Sequence, residues 1–182
     1  MYFDKTGKIN TETALKLAFE RARELGIDEV LVPSTSGATG FAALELNPGC
    51  HIVVVTYHCG FREPFQKVMP DKVRSDLEKR GAAVVSATHA LSGLERSLAK
   101  KHGGIYPVLI IADTLRLFGQ GTKVAVEIAI MAADAGMLSG KDIVALGGTG
   151  QGVDTALVLK PASQSDLYDL RIREIICKPR VF

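Results

Sequence analysis

The sequence predicts a three-layer α/β domain with a mostly parallel sheet, and three observations carry that expectation. Helical segments alternate with short aliphatic and β-branched runs along the chain. One run, residues 51–56, is continuously β-branched from Ile52 to Thr56, as in strands buried on both faces. Only a few residues separate the strand-like segments 141–147 and 154–160, too few for a parallel crossover, so that pair must be antiparallel. With one reversal of winding the strand order is 3-2-1-4-5, strand five antiparallel and strands one and four side by side.

In chain order, Asn10 or Thr11 caps a helix running to Leu25. Ala14, Leu17, Ala18, Ala22 and Leu25 follow helical spacing, and Gly26 stops it. Strand one is 29–32, helix two is 38–46, and Asn47, Pro48 and Gly49 form a turn before strand two at 51–56. An irregular segment, 57–69, leads to a helix at 70–80 opened by Pro70 and closed by Gly81. Strand three is 82–87, and its exit enters a helix ending near His102. Residues 107–118 fit either a strand or a helix; Ala112, Asp113 and Arg116 favour helix. Residues 122–137 form a long helix whose narrow polar stripe is Lys123, Glu127 and Asp134, so both sides need cover, from the sheet and from another element or subunit. Strand four is 141–147, strand five is 154–160, and 172–178 is one more edge strand.

Composition limits the function classes. The 182 residues make one domain, 1–182, with 47% hydrophobic and 23% charged residues. A net charge of +2 with scattered basic residues disfavours a nucleic-acid partner. Three cysteines without CxxC spacing, and residues 1–8 without an apolar stretch, point to a reduced, cytoplasmic protein. The longest apolar run, 124–133, contains Glu127 and is too short to span a bilayer, so no membrane association is expected.

The chemistry concentrates in two loops. Ser34, Thr35, Ser36, Gly37, Ala38, Thr39 and Gly40 join strand one to helix two, with four hydroxyls and two glycines in seven residues. A helix N-terminus presents unbonded amides at the positive end of its dipole, which suits a phosphate. A capped turn needs only one hydroxyl. Gly147, Gly148, Thr149, Gly150, Gln151 and Gly152 leave strand four, with four glycines in six residues where a hairpin needs two. In open α/β sheets, ligands sit beyond the carboxyl ends of the strands at the switch point, where both loops emerge. The loop 34–40 has neither Walker A nor GxGxxG spacing. Asp154 and Thr155 fit as supports of the second loop.

Thr56 ends strand two, His58, Cys59 and Phe61 follow it, and Thr88 and His89 follow strand three, all on the same side. A histidine there can hydrogen-bond a ring or move a proton. Adjacent His58 and Cys59 are a poor start for a metal site, and no His–Asn/Asp set activates Cys59.

These residues resemble a known family. Ser34-Thr-Ser-Gly-Ala-Thr-Gly40, with Gly152-Val-Asp-Thr-Ala-Leu-Val158 on the returning strand, is similar to the C-terminal domain of pyruvate kinase, where a hydroxyl-rich loop binds an effector phosphate. Over its length the chain resembles stand-alone archaeal and bacterial pyruvate kinase α/β domain proteins. Ala87-Thr-His-Ala-Leu-Ser-Gly93, Ile111-Ala-Asp-Thr-Leu-Arg116 and Met131-Ala-Ala-Asp-Ala-Gly136 add to the likeness. The resemblance implies the strand order above and a site able to take flavin mononucleotide (FMN) or a similar phosphate ester. Two departures matter. Pyruvate kinase performs its chemistry in a separate barrel for which this chain has no room, so kinase activity is not expected. Position 38 is Ala, where the kinase loop often carries a basic residue, which disfavours a sugar bisphosphate.

The leading expectation is therefore an FMN or phosphate-ester binding protein. The phosphate lies on Ser34, Thr35, Ser36, Gly37 and Thr39, and the rest of the ligand along 147–152, with Thr56, His58, Phe61 and Thr88 nearby. A flavin-dependent oxidoreductase is one form of this. The alternatives are a metabolite-sensing regulatory subunit, signalling or forming a homo-oligomer through helix 122–137, and a phosphate-ester hydrolase or isomerase using His58 or His89.

Overall fold

The computed structural model describes residues 1–46 and 49–182. The turn expected at 47–49 rests on residues 47 and 48, which lie outside the described residues. The strands are β1 (Tyr2–Phe3), β2 (Glu29–Pro33), β3 (His51–Tyr57), β4 (Ala83–Ala87), β5 (Ile143–Gly147), β6 (Thr155–Lys160) and β7 (Arg171–Pro179). The helices are α1 (Thr11–Leu25), α2 (Ala38–Leu46), α3 (Asp71–Lys79), α4 (Gly93–His102), α5 (Pro107–Arg116) and α6 (Gln120–Asp134).

The strands form one sheet in the order β1-β7-β6-β5-β2-β3-β4. Its centre, β4-β3-β2-β5-β6, is the expected 3-2-1-4-5 arrangement. β2, β3, β4 and β5 are parallel, and β6 is antiparallel to β5. The expected edge strand at 172–178 is not an edge. β7 runs antiparallel to β6, and its far side takes the two-residue β1 in parallel. So short a strand has no periodicity to read, which hides it in the sequence.

Period-two alternation builds both faces of the core. Val30, Val32, Ile52, Val54 and Leu146 pack beneath α1 and α2 with Ala14, Leu15 and Ala18. Leu31, Val53, Val55, Ile143 and Ala145 pack against α6 with Ala125, Ala129 and Ala132. Glycine closes α1 as expected: Gly26 is left-handed (φ 64°), and its amide donates to the last-turn carbonyl of Arg23. Pro107 opens α5, which resolves the helix-or-strand ambiguity of that segment.

α6 is buried nearly all round because the sheet covers one side while α5 and the 3-10 turn Gln164–Asp169 cover the other. The helix needs no partner subunit to cover it, so its apolar character gives no reason to expect a homo-oligomer. Among the described residues, no helix is long and apolar enough to cross a membrane.

Candidate functional site

β2 and β5 are neighbours, with Val30 beside Val144 and Leu31 beside Ala145. The loop after β2 and the loop after β5 therefore leave the sheet side by side, at the point where winding reverses. Both line one crevice of about 1270 Å³. That exceeds the usual span of small-molecule pockets, roughly 300–1,000 Å³. Ser34, Thr35, Ser36 and Thr39 form one wall, and Gly148, Gly150, Gln151 and Gly152 another. Thr56 and Phe61, at and beyond the end of β3, line it as well.

The first wall has the hydrogen-bonding character of an anion seat. The Ser34 amide is engaged, donating to Val55 O at 3.0 Å. Among the described residues, no protein acceptor takes the amides of residues 35–40, because α2 begins only at Ala38 and its first bond is Phe41 N–H to Gly37 O. Those from Gly37 to Gly40 are the orphan donors of a helix start, and those of Thr35 and Ser36 belong to the loop before it. Thr56 is only 4% exposed, and its hydroxyl has no partner among the described residues. A buried hydroxyl without a partner carries a desolvation cost that a ligand acceptor would remove.

The second wall is held from behind. The Asp154 carboxylate, fully buried, accepts from Gly7 N–H at 2.7 Å and Thr149 N–H at 3.2 Å with one oxygen, and from the Thr155 hydroxyl with the other. The Thr11 hydroxyl accepts from Val153 N–H. The expectation that Asp154 supports the loop matches these bonds.

Five of the expected contact residues do not line the crevice. Gly37 (φ 88°) lies against α3, where a β-carbon would come within 2.3 Å of Val73. Gly147 is packed under the first turn of α6; a β-carbon there would sit 1.9 Å from Gly121 O. Thr149 turns its hydroxyl into the protein, where it is buried without a partner among the described residues. His58 stands behind His89, their Nδ1 atoms 3.4 Å apart and its ring edge-on to Phe61. Thr88 lines a separate, smaller cavity of about 470 Å³. His89 is the histidine that reaches the crevice, with the Phe61 ring stacked on it. Burial holds its imidazole below the ordinary value, against the pull of Glu127 and with help from Lys123, His58 and Arg96.

Several lining residues are absent from the sequence-based site. Lys8 and Ile9 arrive from the 3-10 turn Lys8–Asn10, Glu12 from the start of α1, and Arg96, Arg116, Lys123 and Glu127 from α4, α5 and α6. Lys8, Arg62, Arg96, Arg116 and Lys123 are five cations against three anions, Glu12, Glu45 and Glu127, a surplus of two that favours an anionic ligand. Lys123 and Glu127 carried a readable signal: an i, i+4 pair of opposite charge inside an otherwise apolar helix. The others come together only in the folded chain. Among the described residues, no cluster of three or more His, Cys, Asp or Glu could hold a metal ion.

The family model for the pyruvate kinase alpha/beta domain matches residues 12–159. The chain belongs to that family. A pyruvate kinase of Cryptosporidium parvum in complex with ADP is similar in fold at 15% identity and a TM-score of 0.43, over 84% of this chain and 24% of that one. A second pyruvate kinase structure from the same organism gives 14% identity and a TM-score of 0.43, over 84% and 23%. The chain spans about a quarter of the length of those kinases.

Proposed function

We propose that this protein binds a phosphorylated small molecule, FMN first among candidates, in the crevice between β2 and β5, and that it has no pyruvate kinase activity. The observation that carries the reading is that Thr35, Ser36, Ala38 and Thr39, whose amides are unengaged among the described residues, line the same crevice as Thr56 with its unpartnered, buried hydroxyl. Ser34, Thr35, Ser36 and Thr39 surround a phosphate there, and Gly148, Gly150, Gln151 and Gly152 leave room for the remainder of the ligand. These donors fit the phosphate of FMN, and the crevice volume admits a tricyclic ring beside it. When bound, FMN would supply hydride chemistry; the chain's own part is to hold and orient it. Each hydrogen bond to a charged group contributes ~1.5–3 kcal/mol, so three or four support about micromolar binding after association costs.

Mass spectrometry of ligand released from purified protein, with its visible spectrum, tests this directly. The expected result is a stoichiometric phosphate ester, yellow if it is FMN, or micromolar binding of added FMN. The Ser34→Ala/Thr39→Val variant should weaken that binding at least about tenfold. Colourless, ligand-free protein that binds neither FMN nor inorganic phosphate would remove the reading. A metabolite-sensing role would use this same seat, and co-purification with a larger enzyme would favour it.

A further inference from the structure

Residues of α4, α5 and α6 also line the crevice, and this part of it, its second lobe, includes an ion pair almost sealed from water. Lys123 and Glu127 are each 3% exposed and stand one helical turn apart on α6. Their charged ends bond to one another, and the other Glu127 oxygen accepts the Leu91 amide at 2.9 Å. An ammonium has three donors and a carboxylate accepts about four hydrogen bonds, so both groups retain capacity beyond what the protein engages. Both residues line the crevice. A buried ion pair is stabilising only when its remaining donors and lone pairs are matched as well, which makes incomplete matching at a cavity wall informative.

Two further cations border the lobe. Arg96 on α4 is exposed and Arg116 on α5 is tied to Asp113; both lie near enough to act on Lys123 electrostatically. Burial, opposed chiefly by Glu127, holds the Lys123 ammonium below its usual range. A second phosphate or carboxylate entering here would meet the Glu127 carboxylate. A neutral O=C–N–H edge meets no such penalty: its oxygen accepts from the ammonium while its N–H donates to the carboxylate.

We infer that this lobe is a second recognition subsite, in which Lys123 and Glu127 together read the carbonyl and adjacent N–H of a heterocyclic amide at the end of the ligand remote from its phosphate. The inference rests on the proposed phosphate seat at residues 34–40 and names what the rest of the ligand must carry. Flavin and uracil rings both present such an edge.

Isothermal titration of the full chain with FMN, UMP and inorganic phosphate separates the cases. Wild type should bind one of the two nucleotides more tightly than phosphate, and which one identifies the ring. Lys123→Met/Glu127→Gln replaces the pair with neutral groups of similar size, and the carboxamide oxygen this places at position 127 still accepts the Leu91 amide. The double variant should lose roughly ten- to hundredfold in nucleotide affinity with phosphate affinity unchanged. Arg96→Ala, on an exposed wall, leaves the core intact and should cost the nucleotide several-fold while sparing phosphate. Nucleotide affinity unchanged in both variants, with phosphate still bound, overturns the subsite and leaves the phosphate seat standing. Wild type that binds none of the three probes overturns the phosphate seat, and this inference with it.

Discussion

His89 shows how a single side chain near the crevice ties its chemistry to stability. It is half-buried beneath Phe61, with its Nδ1 facing that of His58, so one ring must donate and the other accept. Because burial lowers its folded-state affinity for a proton, the unfolded chain takes up that proton first as pH falls. Its contribution to stability is therefore complete above the ordinary value of 6.5 and is lost as pH drops from there through the lowered folded value. The urea midpoint of wild type should fall between about pH 7.5 and about pH 5.5, and His89→Asn should show a smaller fall. Equal falls in the two proteins would mean that His89 is not the titrating group. The residue types at the crevice were legible from sequence, because hydroxyls and glycines crowd positions 34–40. Their individual orientations were not: Thr149 and His58 belong to the right segments, yet one faces inward and the other stands behind a neighbour.

At the scale of elements, the contact between α6 and the sheet governs what the glycine-rich loop can do. Gly147 ends β5 directly beneath the first turn of α6, and Gly121 in that turn lies against Thr155 on β6, where its own β-carbon would come within 2.1 Å of the hydroxyl. Two glycines thus let helix and hairpin backbones touch. The sequence suggests room for a ligand at Gly147, and the structure shows room for a helix. Gly147→Ala should destabilise by ~1–3 kcal/mol or more, since the added carbon meets backbone that cannot rotate away. Chemical denaturation would show it as a lower midpoint at unchanged slope; an unchanged midpoint would mean that the backbones separate freely. The helices and buried strands themselves were readable, since 3.6-residue spacing and continuous aliphatic or β-branched runs leave strong patterns over 5–15 residues.

Across the whole molecule, Asp154 joins parts of the chain far apart in sequence. Its carboxylate holds Gly7 near the N-terminus, Thr149 in the glycine-rich loop and Thr155 at the start of β6. Asp154→Ala strands these donors in a buried setting, at ~1–3 kcal/mol for each left unmatched. The variant should lose stability and exchange the amides of Gly7 and Thr149 faster, with weaker ligand binding as the crevice wall loosens. Hydrogen exchange read by mass spectrometry checks this; unchanged protection at 147–152 would show that the loop is held by something else.

The α/β class, the antiparallel hairpin and the loop where donors gather could be read from the residues alone, because each depends on local pattern or on a short connection length, and one reversal of winding then gives the central strand order. The family match over 12–159 stands with that reading. Three-dimensional packing was needed to show that α6 is covered by its own chain, that Lys123 and Glu127 are sealed beside the crevice, and which glycines pack against backbone and which line the crevice. Those outcomes turn on distances between segments remote in sequence, and side-chain pattern does not encode separations of a few ångströms.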